Sequence, residues 1–213
     1  MLTVWGRKSS ANVQKVMWLL GELGLAHTHI PAGGPYGQVN DAKFRAMNPN
    51  GLVPVIDDDG MILWESNAIL RYLAARQASA LWPSDARARA PIDQWMEWAS
   101  TTFQPNMIGL FWSYWRTPKR ERSADTIRVF EHKTAASLML LESILATRPF
   151  VAADRFTLAD IPNGVHLYRY HTMGISVPKL PHVEHWYARL TERPAYREHV
   201  MVSYEELRGR LTF

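Results

Sequence analysis

An α/β domain followed by an all-helical one is the fold class this sequence predicts, and three observations carry the prediction. Up to residue 77, short β-rich runs alternate with helical periodicity. After Pro83 every long stretch repeats its apolar residues at helical spacing. Between them, Gln77 to Asp85 carries Ser79, Pro83 and Ser84 and has the composition of a linker. The predicted domains are residues 1–78 and 87–213.

In the first domain, Leu2 to Trp5 reads as a strand. Val13, Val16, Met17, Leu20 and Leu23 then repeat at helical spacing as far as Gly24, a natural helix stop. Ala26 to Ile30 gives a second strand, and the Pro31 to Gly37 segment, rich in Gly and Pro, breaks all regularity. A short helix is expected from Asp41 to Met47. Val53 to Ile56 and Met61 to Trp64 form a predicted hairpin, because the Asp59-Gly60 ending of the intervening segment suits a tight turn. Ser66 is expected to cap a helix containing Ile69, Leu70 and Leu73.

Downstream, Arg87 to Trp115 and Lys119 to Thr147 read as two long helices separated by Thr117-Pro118, the first kinked at Pro105 and the second stopped by Pro149. Phe156-Thr-Leu-Ala-Asp-Ile161 contains a capping box, Thr157-x-x-Asp160, with Phe156 and Ile161 placed as a hydrophobic staple. Helices of about Pro181 to Thr191 and Pro194 to Val202 close the chain.

Composition removes several function classes. The 213 residues include no cysteine, which excludes disulfides, thiolate metal sites and a protein thiol nucleophile. The net charge of +4 is mild. Its densest basic stretch, Arg116, Lys119, Arg120 and Arg122, reads as a solvated loop, and no aromatic is interleaved from Lys119 to Arg122, so nucleic acid is not an expected partner. Met1 to Trp5 lacks the charged lead of a signal peptide. Leu138 to Ala146, broken by Glu142 and Ser143, falls short of the ~20 residues of a membrane span. No membrane role is expected, and the cytoplasm is the expected location. Among eight histidines, His27-x-His29 and His182-x-x-His185 lack a converging third ligand, so no metal is implied.

The chemistry gathers around Val53-Pro54 and Glu65-Ser66. A cis Val53-Pro54 bond would turn the Val53 backbone outward to pair with an extended peptide ligand as an added strand; the competing reading is an ordinary edge proline. Ser66, where strand gives way to helix, is by itself an ordinary cap. A helix N-terminus also receives a carboxylate, and Glu65 beside it can hold an ammonium. Together the pair reads as a clamp for an amino-acid group.

Arg7-Lys-Ser-Ser-Ala-Asn-Val-Gln-Lys-Val16, Asn48-Pro-Asn-Gly-Leu-Val-Pro54, Trp64-Glu-Ser-Asn-Ala-Ile-Leu-Arg-Tyr72 and Phe156-Thr-Leu-Ala-Asp-Ile161 stand in the order and spacing of one family. Over essentially its whole length the chain resembles the cytosolic glutathione transferases, and among them the bacterial and theta-like members that use a serine or threonine near the first strand. The resemblance implies a thioredoxin-like N-terminal domain, an all-α helical-bundle C-terminal domain, glutathione as co-substrate and a homodimer. It implies that Val53 and Pro54 present the backbone that pairs with the cysteinyl residue, and that Glu65 and Ser66 hold the γ-glutamyl group. Counting back from Val16, which resembles the apolar position in the family's first helix, places the catalytic hydroxyl at Ser10, with Asn12 as supporting donor; Ser9 is placed with the acceptor pocket. Ser9 and Ser10 are equally the residue types that cap a helix starting near Ala11. Leu52 departs from the Lys, Arg or Gln that many relatives carry, so Gln38 and Asn40 are the candidates for the glycyl carboxylate.

The resemblance also implies an acceptor pocket against the kinked helix of the second domain, where Met107, Phe111, Trp112 and Trp115 fall, with Tyr168 and Arg169 as weaker candidates; Phe111 and Trp115 share a helical face. An aromatic stripe of this kind is also what core packing produces. The expected activity is attack of the glutathione thiolate on small apolar electrophiles, a detoxification chemistry. Its rivals are glutathione-dependent reduction of disulfides or peroxides and a non-catalytic interaction domain.

Overall fold

The computed structural model describes residues 1–212. It opens with β1 (Leu2–Trp5), α1 (Ala11–Glu22), β2 (Thr28–Ile30), α2 (Ala42–Met47), β3 (Val55–Asp58), β4 (Met61–Trp64) and α3 (Ser66–Arg76). The four strands form one sheet in the order β2-β1-β3-β4, with β1 parallel to β2 and antiparallel to β3. β2 is shorter than the predicted Ala26 to Ile30 because its ladder with β1 begins at Thr3 opposite Thr28. β3 is shifted towards the turn: Val53-Pro54 is cis and lies outside the ladder, which begins at Val55. Asp57 and Asp58 therefore belong to the strand, and the turn shrinks to Asp59 and Gly60, with φ of 52° and 94°. Positive φ at both positions is what a two-residue hairpin with the native strand twist requires.

The remainder is helical: α4 (Ala86–Trp98), α5 (Gln104–Phe111), α6 (Ala124–Leu145), α7 (Asp160–Gly164), α8 (Leu167–Thr172), α9 (Pro181–Thr191) and α10 (Pro194–His199). α4 and α5 belong to one helical rod, joined by a widened π turn over Ala99–Phe103 and extended by another over Trp112–Arg116. Pro105 lacks an amide and its ring crowds the preceding turn. The widened turn just ahead of it, in which the Gln104 amide reaches back to Ala99 O, absorbs the defect where the sequence predicts a kink. α6 starts later than the predicted Lys119 because Ser123 caps it, its Oγ accepting from the Thr126 amide at 3.2 Å.

One continuous apolar core joins sheet and bundle, with α1 in the middle. The α1 side chain that crosses between them is Trp18, fully buried, its ring 5.6 Å from Phe156 and 4.7 Å from Tyr196. Arg193 adds a bidentate ion pair to Glu22, at 2.7 and 2.5 Å, and covers the Phe156 ring at 3.9 Å. The bundle half is packed closely enough to need glycine: a Cβ on Gly109 of α5 would stand 2.0 Å from the Phe130 ring of α6. Gly109→Ala is therefore expected to cost about 1–3 kcal/mol through overpacking, against which helix propensity returns less than about 1 kcal/mol. A urea midpoint equal to the wild type's would show that α6 moves aside freely. Among the described residues no helix is long and apolar enough to cross a membrane.

Candidate active site

Where sheet and bundle meet, the loop after β1, the β3 approach, the start of α3 and the widened rod enclose a cleft of about 420 Å³. Ser9, Ser10, Asn12, Val53, Pro54, Glu65, Ser66, Met107, Phe111 and Trp112 line it, from segments that the sequence keeps far apart.

The two serines before α1 meet different surroundings. Ser9 is buried; its hydroxyl donates to the Glu206 carboxylate and its carbonyl accepts from Arg169 Nη2 at 2.7 Å. Ser10 is half-buried in extended conformation at the N-cap position of α1, and its hydroxyl makes no capping hydrogen bond. A polar hydroxyl is thus left at a helix N-terminus, facing the cleft.

At the other end, Glu65 holds φ of 70° as the residue ahead of α3, so Ser66 is the first helical residue rather than its cap. A bulky residue in the left-handed region costs on the order of 1–3 kcal/mol, and such strain clusters at ligand sites. Ser66 Oγ instead donates to Asn12 Oδ1 at 3.4 Å. The same oxygen accepts from Lys15 Nζ at 3.0 Å, and Lys15 also donates to Gln104 Oε1. With its oxygen accepting from two donors, Asn12 has only its amide nitrogen left to donate. Burial pushes the Lys15 ammonium down to about 7, opposed by the Glu65 charge.

A lysine depressed in the fold is penalised fully below about pH 7, and the penalty vanishes as pH rises towards its unfolded value near 10.5. The wild type is therefore expected to gain stability relative to Lys15→Met by several kcal/mol across that interval. Urea titrations of both proteins from pH 7 to 10 measure it; a constant gap would mean that Lys15 titrates normally.

Three predicted residues stand elsewhere. Gln38 and Asn40 are exposed and do not reach the cleft: Gln38 Nε2 donates to Pro31 O at 2.9 Å, and Asn40 Oδ1 accepts from Arg45 Nη2 at 2.8 Å. Trp115 is buried away from the cleft, 4.9 Å from the Tyr204 ring and covered by Arg208 at 3.7 Å. The widened turn after Phe111 breaks the face that the two share in a regular helix.

Conversely, Arg7, Ala11, Asn48, Leu52, Ile108, Arg116, His166, Arg169 and Leu207 complete the wall. Of these, Arg169 was a weaker candidate, while its neighbour Tyr168 stays off the wall. Arg116 is a correction: it is buried in the last widened turn, whereas Lys119 and Arg120 are the exposed loop cations expected. His166 and Leu207 carry no sequence signal, since only packing brings α8 and the C-terminal segment to the loop after β1.

Residues 5–80 match the family model of the glutathione S-transferase N-terminal domain, and residues 95–194 that of the C-terminal domain. The chain is 41% identical over 205 residues to glutathione S-transferase GstB of Escherichia coli K12, covering 95% of this chain and 99% of that one. It is 33% identical over 208 residues to glutathione S-transferase 3 of Zea mays, covering 93% of each. The crystal structure of a theta-class glutathione S-transferase from Xanthomonas axonopodis pv. citri, with glutathione bound, matches at a TM-score of 0.91 and 43% identity, over 95% of this chain and 98% of that one. Agreement of sequence and fold over nearly the full length places this chain in the glutathione S-transferase family.

Proposed function

We propose that the protein is a transferase that joins the glutathione thiolate to small apolar electrophiles, with residues 1–78 holding glutathione and residues 87–213 supplying most of the acceptor pocket. The observation that carries this reading is the Ser10 hydroxyl, uncommitted to capping, at the N-terminus of α1 in a cleft that ends in Glu65 and Ser66. A free thiol titrates near 8.5, and the reaction needs the thiolate. Lowering that value by about two units takes roughly 2.7 kcal/mol. One hydroxyl hydrogen bond to charged sulfur, about 1.5–3 kcal/mol, with up to about 1 kcal/mol from the helix terminus, reaches that size. The Asn12 amide nitrogen is a further donor on the same side. Glu65 and Ser66 take the ammonium and carboxylate of the γ-glutamyl end, and Val53, outside the ladder, presents its backbone to the cysteinyl unit.

The acceptor packs on Met107, Phe111 and Trp112. Detoxification in the cytoplasm is the role this chemistry fits. Assembly as a homodimer is supported by apolar side chains left exposed on β4 (Met61, Ile62) and α6 (Val129, Met139, Leu140). Retention on immobilised glutathione followed by turnover of aryl halides, epoxides, hydroperoxides and mixed disulfides tests the activity. Retention with conjugation of the aryl halide is expected. Retention with reduction of peroxide or disulfide alone would replace a transferase by a reductase, and no retention would leave a scaffold.

A further inference from the structure

We propose that Lys15 is a positioning residue for the thiolate: buried behind the cleft wall, it fixes the Asn12 side chain so that the amide nitrogen, and not the carbonyl oxygen, is presented to the sulfur. This rests on the transferase reading above and extends it by one residue that no ligand touches.

Asn12 and Lys15 stand three apart in α1, as neighbours on one helical face. Asn12 is half-buried and lines the cleft, whereas Lys15 is 1% exposed and does not reach it. An ammonium has three N–H groups and no acceptor, so any side-chain amide it bonds must turn its oxygen to it. Lys15 Nζ donates to Asn12 Oδ1 at 3.0 Å and also to Gln104 Oε1. Ser66 Oγ donates to the same Asn12 oxygen at 3.4 Å. Held by two donors, the carbonyl stays off the cleft, and the amide nitrogen is the end left for a ligand. The distinction is chemical: an N–H stabilises a thiolate, and a carbonyl oxygen in its place disfavours one. The last torsion of an asparagine is broad and roughly two-fold, so without a fixing group the amide takes either sense.

The core itself does not call for a charge here. Lys15 lies among Val13, Val16 and Leu19, all buried in the same helix, and methionine would occupy its space without the penalty of an ammonium taken out of water. Two titratable groups from other elements act on it or respond to it. Glu65, ahead of α3, favours the ammonium, and the ammonium in turn helps to hold His166, ahead of α8, neutral. Gln104 is where the widened turn ends and α5 begins. The same ammonium therefore ties Asn12 of the first domain to the helical rod of the second, and the amide that faces the ligand is set by both halves of the cleft.

The test is the ultraviolet titration of the enzyme-bound glutathione thiol in the wild type, Lys15→Met, Asn12→Ala and the double variant. Methionine suits the buried position, so the variant is expected to fold. Lys15→Met is expected to raise the midpoint by about one unit in the wild-type background, and by less than half as much once Asn12 is alanine. At pH 6.5 its kcat should fall about fivefold, with KM for glutathione within about twofold of the wild type. A role in packing alone moves the urea midpoint and leaves the thiol titration in place, and that result overturns the proposal. So does a shift of which half or more persists beside Asn12→Ala, since the ammonium would then act on the sulfur without the amide. A Lys15→Met protein no longer retained on immobilised glutathione assigns the lysine to binding and overturns it as well. In each case a wild type that holds glutathione with a lowered midpoint leaves the transferase reading standing. A wild-type midpoint at the free thiol's value of about 8.5, or no retention of the wild type, overturns both.

Discussion

Ser10→Ala is expected to raise the titration midpoint of the enzyme-bound glutathione thiol by about one to two units, the equivalent of one hydrogen bond of about 1.5–3 kcal/mol to charged sulfur. At pH 6.5, where a bound thiol lowered by about two units is half ionised, this lowers kcat by roughly 5- to 50-fold, because the thiolate fraction falls by that factor. The deficit should shrink towards pH 9, where the thiol ionises without help. Glutathione affinity should hold nearly constant, since the proposed reading assigns the binding to Glu65, Ser66 and the Val53 backbone. Ultraviolet titration of the bound thiolate in both proteins decides the matter, and superimposable curves would remove Ser10 from the role. Ser9→Ala is the informative companion: its hydroxyl is engaged by Glu206, so its loss should leave the thiol titration in place.

Asp160→Ala is expected to lower stability by about 3–5 kcal/mol, a large share of what a domain possesses. The carboxylate accepts from the Val151 amide at 3.0 Å, the Thr157 amide at 2.8 Å, Trp186 Nε1 at 3.1 Å and Thr157 Oγ1 at 3.2 Å, all buried. Truncation strands three N–H donors in a dry interior, each costing about 1–3 kcal/mol and not fully additive. Burial pushes the Asp160 carboxyl up to about 6 in spite of those bonds, so at neutral pH it is ionised. Urea denaturation at pH 7 measures the loss, and a change below about 1 kcal/mol would show that water replaces the carboxylate. Asp160→Asn should fall between, because its amide nitrogen meets donors where an oxygen stood.

That residue also marks how far local pattern reaches. Thr157-x-x-Asp160 is legible as a capping box, and the Asp160 carboxylate does accept the Thr157 amide. The threonine, though, turns its hydroxyl to the same carboxylate, and the other oxygen ties Val151 and α9 through Trp186. A box that reads as the start of one helix is also a junction among three segments. The first widened turn is similar: Pro105 announces a defect, but whether the rod kinks or inserts a residue depends on how α6 and α7 pack against it. At the cleft, Ser10, Asn12, Val53, Pro54, Glu65 and Ser66 are readable because each sits at a local boundary, the end of a strand or the beginning of a helix, where backbone groups are exposed by necessity.

The sequence by itself determined the fold class and the Asp59-Gly60 turn, and it named the cleft residues proposed to hold glutathione, all of which rest on short-range stereochemistry: a positive φ, a missing amide, a helix terminus. Only the tertiary structure decided which of two adjacent serines is buried, that Trp115 belongs to the core, and that Arg7, Arg116 and Arg169 meet. Those outcomes depend on contacts such as Arg169 to Ser9, 160 positions apart in the chain, and closure over that span is set by the packing of the whole core rather than by any local preference.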